Sequence, residues 1–399
     1  MQTKDYSIFN PDYEKNPIDT FNYLRENDPI HFEKEINAYF ASKYEDVEYI
    51  LQNDEIFTTK TLAKRAEPVM KDRVLAQMTG HEHKSKKATI LKGITGQNLE
   101  RLMPLISKRV NDIIELYMDT GEMDLVNDFG KVFAVQSSMD LLGLNVEDHK
   151  IIGEWHHGIA KFITSFNLTE EEIKYSLECS DKLEQYLMPI IRERKNSTEN
   201  DLISLLQQSK DDENSITDSE ILALTLNILL AATEPVDKTL SYLFYNLLSD
   251  PEKFKQVYEN RKLLKNSIQE TLRLHSPVQF IPRELNETVD LKGTTLKKGD
   301  VIICMIGSAN RDPKAYSNPD IFDIHRGEKN KPFTSHSQNL AFGKGAHTCV
   351  GASLSLIQLE MVANILLDKL DNIKLKENNQ LIEKGLYTRG PEKMVVQFN

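Results

Sequence analysis

Between positions 221 and 249 the chain carries an apolar segment that only the middle of a sizeable protein can accommodate. Its first half reads Ile-Leu-Ala-Leu-Thr-Leu-Asn-Ile-Leu-Leu-Ala-Ala, apolar almost all the way round a helix, and such a helix has to be packed on every side. Thr217 and Glu220 stand three apart just ahead of it, the spacing of a capping box, which marks its start. The strongly apolar run has 12 residues, including Thr225 and Asn227. A membrane span needs about 20, so the segment predicts a buried core helix. Around it, apolar residues recur at three- and four-residue spacing through 100–118, 147–166, 170–194 and 252–274, which predicts more helix. Strand signals cluster in two places: two short runs near 30–42, and 289–306, where Lys292-Gly293 and Lys298-Gly299 punctuate β-rich residues. The expected fold class is mainly α with small β-sheets. The most polar stretch, 193–219, reads as a long surface loop between helices. No linker or repeat interrupts the chain, so 1–399 is expected to form a single domain.

Charge narrows the partners. With 49 basic and 61 acidic residues the net charge is -12, which repels phosphate backbones and argues against nucleic acid. The first 29 residues are polar, interrupted by Pro11, Pro17 and Pro29, and hold no apolar stretch of the signal-peptide kind. A cytoplasmic protein without a membrane partner is therefore expected. Three cysteines cannot make a disulfide framework. Cys179 sits in a helical pattern and Cys304 in an apolar strand, and both read as buried small hydrophobes. Cys349 sits among glycines, where a different chemistry is expected.

Residues 342–355 read Phe-Gly-Lys-Gly-Ala-His-Thr-Cys-Val-Gly-Ala-Ser-Leu-Ser and lead into a helical pattern at 356–370. A thiolate that ligates a metal needs close backbone approach, N–H groups that temper the sulfur's charge, and exclusion of water. Gly343 and Gly345 permit a tight bulged loop, and Gly351 removes a side chain beside a flat cofactor. A helix that starts near Cys349 aims its positive end at the sulfur and favours thiolate over thiol.

Phe342, Gly343, Gly345, His347, Cys349, Gly351 and Leu354 all fall at the positions of the cytochrome P-450 haem loop, and the segment resembles that loop with Ser355 in place of the final Ala. The resemblance implies the cytochrome P-450 fold, a largely helical prism with small β-sheets enclosing haem b, with Cys349 as the ligand of the haem iron. It also implies an oxidoreductase that uses dioxygen as co-substrate. Glu270-Thr-Leu-Arg273 matches the family's Glu-x-x-Arg pair, and Arg326 matches the arginine that joins it, a structural cluster. His83 and Lys87 resemble the family's His-x-x-x-Arg pair for the haem propionates, with Lys in place of Arg; Arg283 and His347 match two further propionate positions. The alternative for His83, a metal site with His81, finds no second cluster of ligand spacing.

The central helix reads Ala231-Ala-Thr-Glu-Pro-Val-Asp-Lys-Thr, where the family pattern is Ala-Gly-x-Glu/Asp-Thr-Thr. The resemblance places Ala231 beside the haem and makes Glu234 the acid that brings protons to dioxygen. The usual Thr is replaced by Pro235, which has no N–H and is expected to kink the helix. Proton delivery is then expected from Glu234, ordered water, Thr233 or the substrate itself. The fatty-acid peroxygenase branch carries Arg-Pro here, and an anionic Glu234 would repel the substrate carboxylate that such an enzyme uses. Three stretches, 125–131, 231–240 and 385–391, resemble a narrower bacterial branch that oxidises cyclo(Leu-Leu) to pulcherriminic acid. That resemblance implies N-oxidation of both ring nitrogens and aromatisation over several cycles. A peroxide-driven enzyme with another substrate and a haem-binding sensor without turnover are the alternatives. The family's pocket positions correspond to Val74, Met78, Leu230, Val278, Ile281 and Leu386, each apolar enough to be plain core. No flavin or iron–sulfur motif is visible, so a ferredoxin or flavodoxin with its reductase is expected to supply electrons, docking near Lys344 and the lysines of 84–87.

Overall fold

A computed structural model describes residues 6–209, 216–326, 337–377 and 381–399. The chain divides into two compact units, the first made of Met1–Thr61, Tyr242–Cys349 and Gln380–Glu392, the second of Leu62–Ser241, Val350–Asn379 and Lys393–Asn399.

The first unit is organised on a five-stranded sheet. Its order is Ile30–Glu33, Ala38–Ala41, Val301–Met305, Phe280–Leu285 and Phe57–Thr58. The two strand regions expected from sequence thus join in one sheet, with Tyr39 beside Ile302 in parallel register and Arg283 opposite Ile302 in antiparallel register. Ala41, Val47, Ile50, Phe57, Ile302, Cys304 and Leu340 form its core against the Tyr44–Gln52 helix. Lys292 and Gly293 both take positive φ, 55° and 85°, and close a hairpin between Val289–Leu291 and Thr294–Leu296. The stretch expected as one helix over 252–274 is two, Pro251–Glu259 and Lys262–Leu274. Asn260 causes the break: its backbone leaves the helical region and its Oδ1 accepts from the Lys262 amide at 3.3 Å, competing with the helix.

The second unit is mostly helical. Gly96–Glu115, Lys131–Leu142, His149–Thr164, Glu170–Glu193 and Ala352–Lys369 are its longer members, with a three-stranded sheet of Glu122–Asp124, Val395–Gln397 and Lys374–Leu375. The region expected as a loop over 193–219 contains a helix, Leu202–Gln208. Its charged flanks concealed four buried apolar residues, Leu202, Ile203, Leu205 and Leu206. Asp201 caps it, accepting from the Ser204 amide at 2.9 Å and the Ser204 hydroxyl at 2.7 Å. Within that region, 210–215 lie outside the described residues.

The apolar segment forms the helix Asp218–Leu248, 31 residues long and uninterrupted at Pro235. Its capping box is in place: the Glu220 amide donates to Thr217 Oγ1 at 3.2 Å, and the Thr217 amide donates to Glu220 Oε2 at 2.9 Å. By length and composition this helix and the segment Gly345–Lys369 are apolar enough to cross a membrane, with 50% and 44% of their most apolar windows buried inside the protein.

Candidate active site

In the first unit the cysteine loop is built by backbone. The Cys349 amide donates to the Phe342 carbonyl at 2.8 Å, closing a ring of eight residues. Within it the Thr348 amide and hydroxyl both donate to the Gly345 carbonyl, at 3.1 and 2.8 Å. Gly343 and Gly345 take φ of +68° and +76°, where a side chain is strained. At Gly345 a Cβ would also lie 2.5 Å from the Leu51 carbonyl oxygen, so the loop is pressed onto the Tyr44–Gln52 helix. His347 and Phe342 are half-buried, and Cys349 is exposed. Gly351 begins the Ala352–Lys369 helix at an ordinary φ of -84°, which any residue adopts. Cys179 and Cys304 are buried as expected, and burial pushes the Cys304 thiol up to about 12.

Lys344 departs from expectation. It is buried and paired with Glu48, and its Nζ donates to the Ser337 carbonyl at 3.0 Å. It holds the loop rather than facing a partner. Lys86, in the other expected basic cluster, is likewise buried between Glu82 and Glu220, at 2.9 and 2.7 Å.

Arg283 lies on the strand Phe280–Leu285 and is 3% exposed. Its Nη1 donates to the Pro282 carbonyl at 2.9 Å, and its Nε has no hydrogen-bond partner. Burial lowers its pKa, because no carboxylate among the described residues pairs with it. Beside it, Ile281 Cδ1 approaches Gly343, and the Gln279 amide donates to the Tyr387 carbonyl at 2.8 Å. Val278, Ile281 and Leu386 are therefore gathered at one end of this unit, all half-buried. The Glu270 carboxylate receives Arg273 twice at 2.8 Å, Arg326 Nε at 2.9 Å and the Asp323 amide at 3.1 Å. The two arginines use other N–H groups on the carbonyls of Asn310, Ser317, Asn318 and Pro319.

In the second unit the central helix carries the acidic residues. Ala231 is exposed, Leu230, Glu234 and Pro235 are half-buried, and Thr233 is buried. Thr233 Oγ1 lies 2.7 Å from His156 Nε2, and 3.0 and 3.1 Å from the carbonyls of Leu229 and Leu230. Sequence reasoning missed His156, since its partner is distant in the chain and a histidine in a helical pattern carries no mark of its role. Burial lowers the His156 pKa to about 4, against the opposing pull of Glu234. Lys238 Nζ donates to Glu234 Oε2 at 3.1 Å and stands 3.8 Å from Asp237 Oδ1. His83 is buried and Lys87 half-buried, four apart on the helix Gly80–Gly93. Arg101, also missed, has Nε and Nη2 buried without partners. Val74 and Met78 are buried, 3% and 0% exposed. Among the described residues no group of three or more His, Cys, Asp or Glu side chains could hold a metal ion.

Comparison with known proteins places these features. The Cytochrome P450 family matches residues 30–396. The chain is similar to pulcherriminic acid synthase of Bacillus subtilis (strain 168), 48% identical over 99% of this chain and 98% of that protein. It is 27% identical to mycinamicin IV hydroxylase/epoxidase of Micromonospora griseorubida, over 90% of this chain and 89% of that one. Among solved structures, that of CalO2 superposes with a TM-score of 0.88 at 22% identity, covering 100% of this chain and 99% of the other, a likeness of fold. With a family match reaching almost from end to end, this chain belongs to the Cytochrome P450 family.

Proposed function

We propose that this cytochrome P450 oxidises cyclo(Leu-Leu) to pulcherriminic acid by multi-step N-oxidation and aromatisation of the ring, acting as one catalytic domain across 1–399 in the cytoplasm. The observation that carries this reading is the 48% identity to pulcherriminic acid synthase, maintained over 99% of the chain. As a member of its family the chain is an oxidoreductase with haem b as cofactor and dioxygen as co-substrate. The residues fit that group: one thiol stands on a backbone-closed loop, and Arg283 is a buried guanidinium without a carboxylate partner among the described residues, suited to a propionate.

When bound, haem supplies the activation of dioxygen. Cys349 would ligate its iron, with Phe342, Gly343, Gly345 and Gly351 shaping the approach. By the resemblance, Arg283, His83, Lys87 and His347 would hold its propionates, and Ala231 would leave room for its face. The resemblance assigns Val74, Met78, Leu230, Val278, Ile281 and Leu386 to the two isobutyl side chains of the substrate. Glu234 accepts from Lys238 Nζ at Oε2, the atom at which it would take up and release the proton. The Thr233 hydroxyl is engaged by His156 and by two carbonyls, so its part is to brace the helix rather than to carry protons. Pro235 has no N–H, so the Ala231 carbonyl has no helical donor and can accept from a substrate amide or a water. Electrons come from a ferredoxin or flavodoxin with its reductase.

The test is a titration of the haem-loaded protein with cyclo(Leu-Leu), followed through the haem spectrum, and then turnover with ferredoxin and reductase. A low- to high-spin shift with formation of pulcherriminic acid is expected. No spectral response at millimolar dipeptide would overturn the substrate, and product formed equally well from hydrogen peroxide alone would overturn the electron donor.

A further inference from the structure

Two stretches that resemble the cyclodipeptide branch, 125–131 and 231–240, are distant in sequence and meet in the second unit. The first closes as a single π-helical turn, Leu125–Gly130, a rare conformation that concentrates at functional sites. Gly130 is where it touches the central helix. A Cβ there would lie 3.1 Å from Asp237 Cβ and 3.3 Å from Asp237 Cα, so only glycine allows this approach without a shift. The turn covers Asp237, leaving it 5% exposed. Its Oδ1 has no hydrogen-bond partner among the described residues, which is costly for a carboxylate and needs a reason. Lys238 Nζ is placed between two acids, 3.1 Å from Glu234 Oε2 and 3.8 Å from Asp237 Oδ1. Lys131 faces the cluster from the end of the π turn, and His156 and His157 face Glu234 from the helix His149–Thr164.

We propose that Asp237, acting through Lys238, restores the proton that Glu234 gives up during turnover. The inference rests on Glu234 being the acid of the reaction. Lys238 Nζ passes one proton to Glu234 Oε2 and takes one from Asp237 Oδ1. Lysine stays an ammonium, Glu234 becomes the carboxylic acid, Asp237 becomes the carboxylate, and the net charge does not change. Asp237 is then reprotonated from water. Burial raises its pKa to about 6, with Lys238 and Lys131 opposing and Glu234 adding to the rise, so near neutral pH its proton is available for exchange. A group held much lower would have no proton to give, and one held much higher would not release it.

The experiment is infrared difference spectroscopy of the holoenzyme across pH 5 to 8, roughly centred on that transition. A protonated-carboxyl band that appears on acidification, persists in Glu234→Gln and vanishes in Asp237→Asn is expected. Asp237→Asn should lower coupled product formation roughly tenfold, less than the ~10²-fold or more of a group that transfers protons to a reacting atom. Peroxide release should rise in parallel, and Asp237→Glu should restore most of the coupling. If Asp237→Asn fails to retain haem, Lys238→Met tests the same path. A band unaffected by Asp237→Asn, or coupling and pH profile unchanged in both Asp237→Asn and Lys238→Met, overturns the relay. Full coupling in Glu234→Gln overturns the role of Glu234 instead, and the Asp237 band reads independently of it.

Discussion

Removing the Thr233 hydroxyl while keeping its shape, as in Thr233→Val, tests how the central helix is braced. In the wild type His156 Nε2 is buried 2.7 Å from Thr233 Oγ1. With its pKa depressed to about 4 the ring is neutral at pH ~7, carrying one donor and one acceptor. Thr233→Val strands one ring nitrogen in the interior, which costs ~1–3 kcal/mol. His156→Phe is gentler, because the hydroxyl keeps the Leu229 and Leu230 carbonyls at 3.0 and 3.1 Å. Its cost is the net value of one hydrogen bond, ~1 kcal/mol. The double variant loses that bond once, so its destabilisation should fall short of the sum by ~1 kcal/mol or more. Urea unfolding of the haem-loaded proteins, followed by helical and haem signals, measures all three. Additivity within ~0.5 kcal/mol, or a Thr233→Val protein as stable as wild type, would refute the account.

Burial holds His156 near about 4 and His275 near about 3, both below the ~6.5 of an unfolded chain. The unfolded state binds more protons between those values, so stability is complete above pH ~6.5 and is lost as pH falls toward ~4, with His156 contributing ~3 kcal/mol. His156→Phe should flatten that acid limb, and an unchanged slope would count against it. Glu270→Ala leaves Arg273, 2% exposed, without its counter-ion and should cost ~3–5 kcal/mol. Arg326→Ala removes one charge-assisted bond to Glu270 and should cost ~1.5–3 kcal/mol, so denaturant midpoints in the reverse order would contradict the geometry. Arg283→Leu removes a buried cation with no ion pair, so the apoprotein should lose no stability while haem leaves about tenfold faster or more in transfer to apomyoglobin, equivalent to ~1.4 kcal/mol. Unchanged haem retention would remove Arg283 from the propionate site.

What could be read from sequence was whatever the chain states locally. The 221–249 segment named its own position through all-round apolarity, and Thr217 with Glu220 named its start. Cys349 was legible because its glycines are needed at fixed spacing, and Gly343 and Gly345 do take positive φ. Contacts between distant residues were not legible. Nothing near His156 announces Thr233, nothing near Lys344 announces Glu48, and Arg101 has no spacing that marks it. The Leu202–Gln208 helix was hidden for another reason: charged flanks outweighed a short apolar core in any window average. Val74 and Met78 are apolar and buried, and apolarity alone does not separate a pocket wall from packing.

The thiol-bearing loop is fastened by protein groups: Gly345 against Leu51, Lys344 against Glu48, and the Cys349 amide on Phe342. Ordering a backbone from a free state costs ~1–2 kcal/mol per residue, and here that cost falls within the folding of the first unit. Cofactor insertion then meets a ready-made ligand instead of recruiting one. The expected consequence is that haem capture depends on how easily the porphyrin reaches the sulfur more than on a search through loop conformations.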